Sequence, residues 1–414
     1  MLGRAGAVFL LLLAMLASCE SDPEVVHVKP DGIQQGDTAR KTLLVYMMAE
    51  NSLNNYAALD VEEILQAVPD VPGDCRLFVY VDDNKLPRLT QYYMLANGDV
   101  GSFALKPFVA DVCSSDTAAL SVVFDCILKD YPTETLDLVM WSHGDGWLRG
   151  PLNSKRQRSI GIDNEKNSYR DNVTTTIEVE ELAALLKALP TKVDRLMFDA
   201  CFMQAVEVAY ELRNVARYVI ASPAEIPNPG APYERMVKPF FGVPFDGAEV
   251  VEQYYRMYND SVMPVYDYGS DRYGVSLSVI DCGHLDALAN ATAGMVTKYV
   301  SRDEATDLKG VQRYYPLSSK SRPEFYDMNG YMQRLITDEA DYVRWKSVFD
   351  LAVPYARSTA WWYSNDAYTQ HVDLDNYGGV SCYVPQDRSI YDGLNEKFRA
   401  TSWYMDAGWH EVGW

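Results

Sequence analysis

The sequence predicts an α/β protein with a largely parallel central sheet. Short apolar runs rich in β-forming residues alternate with segments of helical periodicity along the first half of the chain. Helices of about ten residues between consecutive strands are typical of right-handed β-α-β units, which build parallel sheets. The length of 414 residues and the hydrophobic content of 48% allow one large α/β domain with a smaller appendage.

The individual elements follow from local patterns. Strands are predicted at 42–49, 76–81, 136–141, 195–199 and 218–221, and helices at 57–67, 117–129, 179–189 and 204–213. Asp116 or Ser115 is the expected cap of the second helix. The short run 92–95, closed by Asn97 and Gly98, predicts a hairpin partner at the edge of the sheet.

The last third of the chain carries weaker signals. A strand at 274–281 and a helix at 284–299 are predicted to close the main sheet, so the main domain is expected to span 39–300. A smaller C-terminal subdomain at 301–414 has one clear strand at 379–384 and many aromatic residues. These aromatics either pack the subdomain against the core, which we favour, or line a groove for extended peptide or glycan.

The first residues have the pattern of a bacterial lipoprotein signal. Arg4 supplies a positive charge, 5–17 form an apolar run too short for a permanent membrane-spanning helix, and Leu-Ala-Ser-Cys at 16–19 resembles a lipobox. We expect a signal peptide over 1–18, lipid on the Cys19 thiol and a flexible tether over 19–38. The protein would then be anchored outside the cytoplasm, at the periplasmic or outer face of a bacterial membrane. Ordinary secretion with an incidental cysteine is the alternative.

Charge, cysteine usage and missing motifs argue against several classes of function. The formal net charge of -21 disfavours nucleic-acid binding and favours cationic substrates or divalent cations. The cysteines other than Cys19 form no C-x-x-C pair, so zinc-finger and thioredoxin-type sites lack support and no disulfide is predicted. The signature motifs of serine hydrolases, nucleotide-binding loops and zinc proteases are absent from the sequence.

Two residues at predicted strand ends form a candidate catalytic pair. His143 follows the strand at 136–141, and Cys201 follows the strand at 195–199. Active sites of parallel sheets lie beyond the carboxyl ends of the strands, so the two side chains meet if these strands are neighbours. A free thiol titrates near ~8.5 and needs an adjacent base to act as a nucleophile at neutral pH. The pair therefore predicts a cysteine hydrolase.

The residues beside the pair fit the same chemistry. Cys201 is expected to open the helix predicted at 204–213, whose positive end would favour the thiolate. The N–H groups of Gly144 and Cys201 are candidates for an oxyanion hole. Asp199 points the same way as Cys201 along an extended strand, so its carboxylate is expected to line the pocket and bind a cationic substrate group.

These segments resemble the clostripain family of cysteine peptidases, relatives of the caspases and gingipains. The resemblance lies in Leu-Val-Met-Trp-Ser-His-Gly at 138–144 and Asp-Arg-Leu-Met-Phe-Asp-Ala-Cys-Phe-Met at 194–203, and it is clearest from 42 to 223. It implies a caspase-like α/β/α sandwich, cleavage of peptides or proteins after Arg or Lys, and often calcium dependence. By motif position, His143 is the general base, Cys201 the nucleophile and Asp199 an acidic wall of the P1 pocket.

The resemblance also implies two features of the loops. Family members have a second acidic pocket residue after the strand that follows the nucleophile, and Glu225 in the proline-rich loop 222–230 is the only candidate. Members are often processed between the catalytic histidine and cysteine, where Lys155, Arg156 and Arg158 are the expected cleavage sites. A solvated basic loop that is not cleaved is the alternative.

Calcium ligands are not assigned by the sequence. The acidic turns Asp82-Asp83-Asn84 and Asp163-Asn164-Glu165 offer oxygen ligands, but neither matches an EF-hand loop. No organic cofactor is expected. The predicted function is that of a monomeric cysteine endopeptidase that forms a thioacyl-enzyme intermediate. The competing hypothesis is an inactive surface lipoprotein that binds peptide or glycan through its aromatic C-terminal region.

Overall fold

The computed structural model describes residues 35–148, 159–164, 175–260, 274–304, 307–314, 325–364, 368–371, 374–387 and 392–414. The strands, numbered in chain order, are β1 Lys41–Met48, β2 Cys75–Asp82, β3 Arg88–Met94, β4 Val100–Leu105, β5 Leu136–Trp141, β6 Ile160–Asp163, β7 Thr175–Ile177, β8 Val193–Asp199, β9 Ala216–Ala221, β10 Ser276–Asp281, β11 Tyr326–Asp327, β12 Tyr355–Ser358, β13 Trp361–Ser364, β14 Tyr368–His371 and β15 Ser381–Cys382.

The helices, likewise in chain order, are α1 Asn54–Ala67, α2 Thr117–Asp130, α3 Val179–Ala188, α4 Val206–Leu212, α5 Tyr233–Phe240, α6 Gly247–Asp260, α7 Leu285–Tyr299, α8 Met328–Leu335, α9 Glu339–Ala352, α10 Asp392–Arg399 and α11 Ser402–Asp406. Short 3-10 turns follow α1 and precede α7, and another lies near the C-terminus.

A largely parallel sheet forms the centre of the fold. Among the described residues, nine strands pair in the order β12-β10-β9-β8-β5-β1-β2-β3-β4. The five strands from β9 to β2 run parallel to one another. The hairpin strands β3 and β4 at one edge, and β10 and β12 at the other, pair antiparallel. The predicted sheet type is therefore confirmed.

Helices cover both faces of this sheet. Successive side chains of a strand point to opposite faces, and those of β1 enter two separate cores. Leu44 and Tyr46 pack with residues of α2, α3, α4 and α7, whereas Leu43 and Val45 pack with residues of α1, α5 and α6. Every residue of β1 is buried because both faces are covered, which explains its continuous apolar pattern. The architecture is an α/β/α sandwich, as the resemblance implied.

Local signals placed several elements correctly. The hairpin predicted around Asn97 is formed by β3 and β4, next to β2 at the sheet edge. The N-cap of α2 is Asp116, whose carboxylate accepts a hydrogen bond from the Ala118 N–H at 2.9 Å. Cap chemistry and turn residues act over a few positions, so the sequence alone is enough to predict them.

Two predicted elements are wrong in extent. The helix predicted at 204–213 begins only at Val206, because Gln204 is bound to the neighbouring β9 end through its N–H and the Ser222 carbonyl. The strand predicted at 379–384 shrinks to β15, which pairs with β11. Beyond β15 the Tyr383 N–H donates to the Glu207 carboxylate at 2.7 Å instead of to a strand.

The C-terminal third joins the main sheet and one of its cores. β12 pairs with β10, and Trp403, Trp409 and Trp414 are buried in the core that also holds the α4 side chains. This burial agrees with the interpretation that the C-terminal aromatics pack against the core. The domain boundary at residue 300 stays a prediction. In the described part of the chain, none of the helices has the length and apolar character needed to cross a membrane.

Some predicted features lie outside the described residues. They are the signal peptide over 1–18, the lipidation residue Cys19, the tether up to residue 34, the processing residues Lys155, Arg156 and Arg158, and the side chain of Glu165.

Candidate active site

The carboxyl ends of β5 and β8 bring the predicted catalytic pair to one edge of the sheet. The two strands are parallel neighbours, and Trp141 pairs with Asp199 at their last position. His143 and Cys201 each follow two residues later, so both side chains leave the sheet at the same edge. The condition that the sequence left open, adjacency of the two strands, is met.

His143 lies against the loop between β1 and α1. Its Nε2 is 2.9 Å from the hydroxyl oxygen of Ser52. This loop is held in place by Asn51, whose side-chain amide donates to the carbonyls of Met48 and Ile162, each at 2.8 Å. The imidazole is therefore oriented by a loop that sequence reasoning did not connect with the site, since Ser52 is 91 residues from His143.

The Cys201 thiol is tied to the loop after β9. Its Sγ accepts a hydrogen bond from the Ile226 N–H at 3.3 Å. The pKa of Cys201 is raised to about 12, first by burial of the sulfur and then by the nearby Glu225 carboxylate, while the Ile226 N–H partly opposes the rise. The thiol is protonated at neutral pH in this state, so a base must remove its proton before attack.

Cys201 does not open helix α4, so the predicted assistance of its thiolate by the helix dipole is wrong. Helix α4 begins at Val206, five residues after the cysteine. The intervening turn includes Phe202 with a φ of 61°, a left-handed conformation that is rare outside glycine. Helix dipoles act within about one turn of the helix end, so α4 gives Cys201 little assistance.

Gly144 occupies a position that no other residue fits without a shift. A Cβ built at Gly144 would lie 2.7 Å from the Cys201 carbonyl oxygen and 3.0 Å from the Met203 sulfur. Gly144 also forms an antiparallel bridge with Ile160. The two hydrogen bonds of this bridge join the flanking residues, Gly161 N–H to His143 O and Asp145 N–H to Ser159 O, each at 3.0 Å. The Gly144 N–H is thus outside this pairing.

Asp199 lies buried at the base of the site, where its carboxylate is hydrogen-bonded. Its side chain is 5% exposed. The carboxylate accepts hydrogen bonds from the Tyr254 hydroxyl at 2.9 Å and from the Tyr233 hydroxyl and Ala231 N–H at 3.1 Å. Burial raises the pKa of Asp199, and these three hydrogen bonds oppose the rise.

Asp60 is an acidic neighbour of Asp199 that sequence reasoning missed. It projects from α1, is 2% exposed, and accepts a hydrogen bond from the Trp141 indole N–H at 2.6 Å. Burial raises the pKa of Asp60 to about 9, with contributions from the charges of Asp199 and Glu63. The signal was present, because Asp60 shares the buried face of α1 with residues at helical spacing: Ala57, Ile64 and Ala67.

A second acidic side chain of α1 extends this cluster. The Glu63 carboxylate accepts a hydrogen bond from the Tyr233 N–H at 3.0 Å. Burial and, after it, the charge of Glu234 raise the pKa of Glu63 to about 8. Asp60, Glu63 and Asp199 together give this region a strongly negative potential whenever they are ionised.

Glu225, the predicted second pocket residue, acts on the nucleophile. It is half-buried and directly precedes Ile226, whose N–H binds the Cys201 sulfur. Its charge is the second largest cause of the raised Cys201 pKa, after burial. The pKa of Asp60, in contrast, is raised by the charges of Asp199 and Glu63 as well as by burial.

The acidic turns considered for calcium are brought together in part. Asp82 ends β2 and Asp163 ends β6, and burial together with the Asp163 charge raises the pKa of Asp82 to about 8. Asp83 points elsewhere and binds both terminal nitrogens of Arg88, at 2.7 and 3.0 Å. Glu50 and Asp111 join Asp82 in a cluster of carboxylates, and the sequence had indicated neither.

Comparison with known sequences finds one family. The profile of the clostripain family of peptidases matches residues 45–414. Clostripain from Hathewaya histolytica is 24% identical over 221 residues, which are 47% of this chain and 41% of clostripain. The match therefore spans less than half the length of that curated relative.

Solved structures with similar folds cover most of the chain. A secreted C11 cysteine protease from Bacteroides thetaiotaomicron, in complex with an irreversible peptide inhibitor, has a TM-score of 0.77 and 30% identity, over 90% of this chain and 100% of that one. An inactive zymogen C11 protease from Parabacteroides distasonis has a TM-score of 0.74 and 27% identity, over 90% and 99%. A Bacteroides fragilis cysteine protease is 35% identical with a TM-score of 0.52, over 58% and 96%.

Proposed function

The chain belongs to the clostripain family, and on that basis we propose that it is a cysteine endopeptidase with His143 as general base and Cys201 as nucleophile. One observation carries the assignment of these two residues: they leave the same edge of the sheet from the adjacent strands β5 and β8. A thiol with a pKa of about 12 needs a nearby base, and His143 is at the neighbouring strand end.

The proposed reaction follows from these positions. His143 accepts the thiol proton, and the Cys201 sulfur attacks the scissile carbonyl to form a tetrahedral intermediate. The N–H groups of Gly144 and Cys201 donate to its oxyanion. His143 then protonates the leaving amine, and water hydrolyses the thioacyl-enzyme. His143 bonds to Ser52 and Cys201 to Ile226 in the free protein, and catalytic hydrogen bonds often form only when substrate is bound.

The acidic base of the site supports a preference for Arg or Lys at P1. Asp199 and Asp60 are buried next to each other, and burial raises the pKa of both carboxyl groups. A cationic side chain bound there would favour the ionised carboxylates and neutralise them. A neutral P1 side chain would leave the repulsion between the carboxylates of Asp60 and Asp199 uncompensated. The same site provides the tyrosine hydroxyls of Tyr233 and Tyr254 to orient the carboxylate of Asp199.

A panel of peptides tests activity and P1 preference together. Peptides with Arg, Lys or norleucine at P1 are compared on the wild-type chain, Cys201→Ala, Asp199→Asn and the control Glu62→Gln, an exposed position of α1. Cys201→Ala abolishes turnover. Asp199→Asn lowers kcat/KM for Arg and Lys peptides roughly 100-fold, since an uncompensated buried cation costs about 3 kcal/mol, and Glu62→Gln has no effect. Equal turnover of the norleucine peptide by the wild type contradicts the P1 assignment.

Self-processing between His143 and Cys201 is part of the proposal. Lys155, Arg156 and Arg158 lie in this connection and match the proposed P1 preference. We expect mass spectrometry of the purified wild-type chain to find cleavage after one of these residues. The Cys201→Ala chain, treated identically, stays intact. A wild-type chain that remains whole would show that the loop is not processed.

A lipid anchor at Cys19 and a monomeric state complete the proposal. The sequence at 16–19 supports lipidation, which places the peptidase outside the cytoplasm with peptides or proteins as substrates. The competing hypothesis, peptide or glycan binding by an inactive protein through its C-terminal aromatics, loses support because Trp403, Trp409 and Trp414 are buried. Absence of turnover on every peptide, including after cleavage of the loop, would favour that hypothesis.

A further inference from the structure

The proposed catalytic histidine lies between two neighbouring strand ends. In the sheet order β8-β5-β1, the strand β5 that leads to His143 has β8 on one side and β1 on the other. Cys201 follows β8, and Ser52 lies in the loop that follows β1. The hydroxyl oxygen of Ser52 is 2.9 Å from Nε2 of His143. One ring nitrogen is therefore engaged on the β1 side, while the nucleophile follows the strand on the opposite side.

The loop that carries Ser52 is held in place by the preceding side chain. The amide of Asn51 donates to the carbonyls of Met48 and Ile162, each at 2.8 Å. The side-chain oxygen of Asn51 accepts a hydrogen bond from the Leu53 N–H, also at 2.8 Å. Ser52 lies between the two residues that this last bond joins. Its backbone is therefore fixed, although the residue itself is exposed.

The residue before His143 is bound to the same backbone groups. The Ser142 hydroxyl donates to the Met48 carbonyl at 2.9 Å and accepts a hydrogen bond from the Ile162 N–H at 3.1 Å. Ser142 is 3% exposed, so water competes little for these bonds. The segments that carry Ser52 and His143 are thus joined through shared partners. Their hydroxyl and imidazole meet because both backbones are fixed, which favours a lasting contact over a chance one.

We propose that Ser52 is a positioning residue that holds Nε2 of His143, so that Nδ1 is the atom that takes the proton of Cys201. A neutral imidazole carries one N–H, and the hydrogen bond at one nitrogen sets which nitrogen is protonated. The exposed Ser52 hydroxyl directs its own proton to water, and its oxygen accepts the Nε2–H. Nδ1 then keeps its lone pair. This inference rests on the proposed peptidase function.

The proton transfer balances without a further reactant. The S–H bond of Cys201 breaks, its electron pair stays on sulfur for the attack on the scissile carbonyl, and Nδ1 of His143 takes the proton. Both ring nitrogens are then donors, and the Ser52 oxygen continues to accept the Nε2–H of the charged ring. A hydroxyl is a neutral and here exposed acceptor. We therefore expect Ser52 to contribute about 10-fold to kcat, the scale of one such hydrogen bond.

The tautomer of His143 is measured without any turnover. The full-length Cys201→Ala chain is labelled with ¹⁵N-histidine, and the ring signals of His143 are assigned by their loss in His143→Gln. We expect the proton on Nε2 in the Cys201→Ala chain, and a mixture of the two tautomers once Ser52→Ala is added. Ser52→Thr keeps the hydroxyl and preserves the single tautomer. A proton on Nδ1 in the Cys201→Ala chain, or an unchanged tautomer ratio after Ser52→Ala, overturns the role of Ser52.

Steady-state kinetics on an Arg peptide give the second readout. We expect Ser52→Ala to lower kcat about 10-fold while KM changes by less than about 2-fold, because the hydroxyl acts on the proton transfer and not on substrate binding. Ser52→Thr retains most of the wild-type kcat. Ser347→Ala, which removes an exposed hydroxyl of α9, is the matched control and leaves both constants unchanged.

The two measurements separate this inference from the peptidase proposal. A wild-type kcat in Ser52→Ala, or an equal loss in Ser52→Ala and Ser52→Thr, contradicts the positioning role. Absence of turnover by the wild-type chain on every peptide counts against the peptidase proposal instead, and the nitrogen signals of the Cys201→Ala chain still decide whether Ser52 sets the tautomer of His143.

Discussion

The Cys201 thiol is acted on by groups with opposite effects. Burial of its sulfur and the Glu225 charge raise its pKa, while the Ile226 N–H, 3.3 Å from Sγ, lowers it. The result is a pKa of about 12, so the thiolate is scarce at neutral pH. In this state the chain holds its nucleophile protonated, which limits thiol reactivity until His143 can accept the proton.

Glu225→Gln is predicted to make Cys201 more reactive. Removal of a negative charge near the sulfur stabilises the thiolate, so the pKa of Cys201 falls. At every pH below that pKa, iodoacetamide alkylation should be faster than in the wild type, by roughly 3- to 10-fold for a shift of half to one pKa unit. Glu62→Gln, an exposed change on α1, serves as control and leaves the rate unaltered. An unchanged rate in Glu225→Gln would show that its charge does not reach the thiol.

Gly144→Ala is predicted to abolish most turnover while the chain stays folded. The new Cβ would lie 2.7 Å from the Cys201 carbonyl, so the backbone that carries the nucleophile must shift. Loss of a single oxyanion donor costs about 10²- to 10³-fold in kcat. Gly73→Ala is the matched control, because a Cβ there meets nothing within 4 Å. Circular dichroism checks folding, and near-normal kcat in Gly144→Ala would contradict the proposed oxyanion role.

At the scale of elements, a buried ion cluster ties together the strands that carry the site. Asp137 of β5 lies 2.7 Å from Arg195 of β8 and 3.4 Å from Lys41 of β1, and all three side chains are buried. Lys41 and Arg195 also donate to the Phe240 carbonyl of α5, at 2.6 and 3.1 Å. The cluster links the sheet to α5, at the start of the strands whose other ends hold His143 and Cys201.

Asp137→Asn is predicted to destabilise the fold strongly. The substitution keeps the volume but leaves Lys41 and Arg195 buried without a full counter-charge, which costs about 3 kcal/mol. Urea unfolding measures the loss of unfolding free energy. Asp74→Asn provides the comparison, since its ion pair with Arg40 is exposed and contributes at most about 1 kcal/mol. Equal losses in the two variants would show that the cluster has no special role.

At the scale of the whole molecule, an excess of negative charge accompanies buried carboxylates near the proposed active site. The net charge is -21, and two groups of buried carboxylates lie near the proposed catalytic pair. Asp60 and Asp199 form the base of the proposed P1 pocket, and Glu50 and Asp82 belong to a second cluster of carboxylates together with Asp111. A negative field of this kind attracts cationic substrates and divalent ions, and its effect weakens with salt.

Cys19→Ser is predicted to release the protein from the membrane. In bacterial cells the wild-type chain should be recovered with the membrane fraction and freed by detergent, because the proposed lipid on Cys19 would anchor it. The serine variant has no thiol for the lipid and should be soluble outside the cytoplasm. Cys126→Ser, at a partly buried position of α2, should remain with the membrane. A soluble wild-type chain would instead indicate ordinary secretion.

The described fold was largely predictable because its signals are local. Apolar runs mark the strands, and the right-handed β-α-β rule brings the carboxyl ends of parallel strands to one edge. His143 and Cys201 could be paired for that reason. Loop paths were not predictable in the same way. Cys201 was placed at the start of a helix, but contacts of Gln204 with Ser222 and Ser278 delay that helix until Val206.

By itself, the sequence determined the sheet, the layers that cover it and the two residues at adjacent strand ends. Only the tertiary structure decided which distant side chains surround them. Asp60 meets Asp199 because α1 packs on one face of the sheet, and Glu50 meets Asp82 and Asp111 because the loops that carry Glu50 and Asp111 approach the end of β2. Strand periodicity is encoded in neighbouring residues, whereas these clusters depend on helix orientation and loop course, which arise only when the whole chain packs.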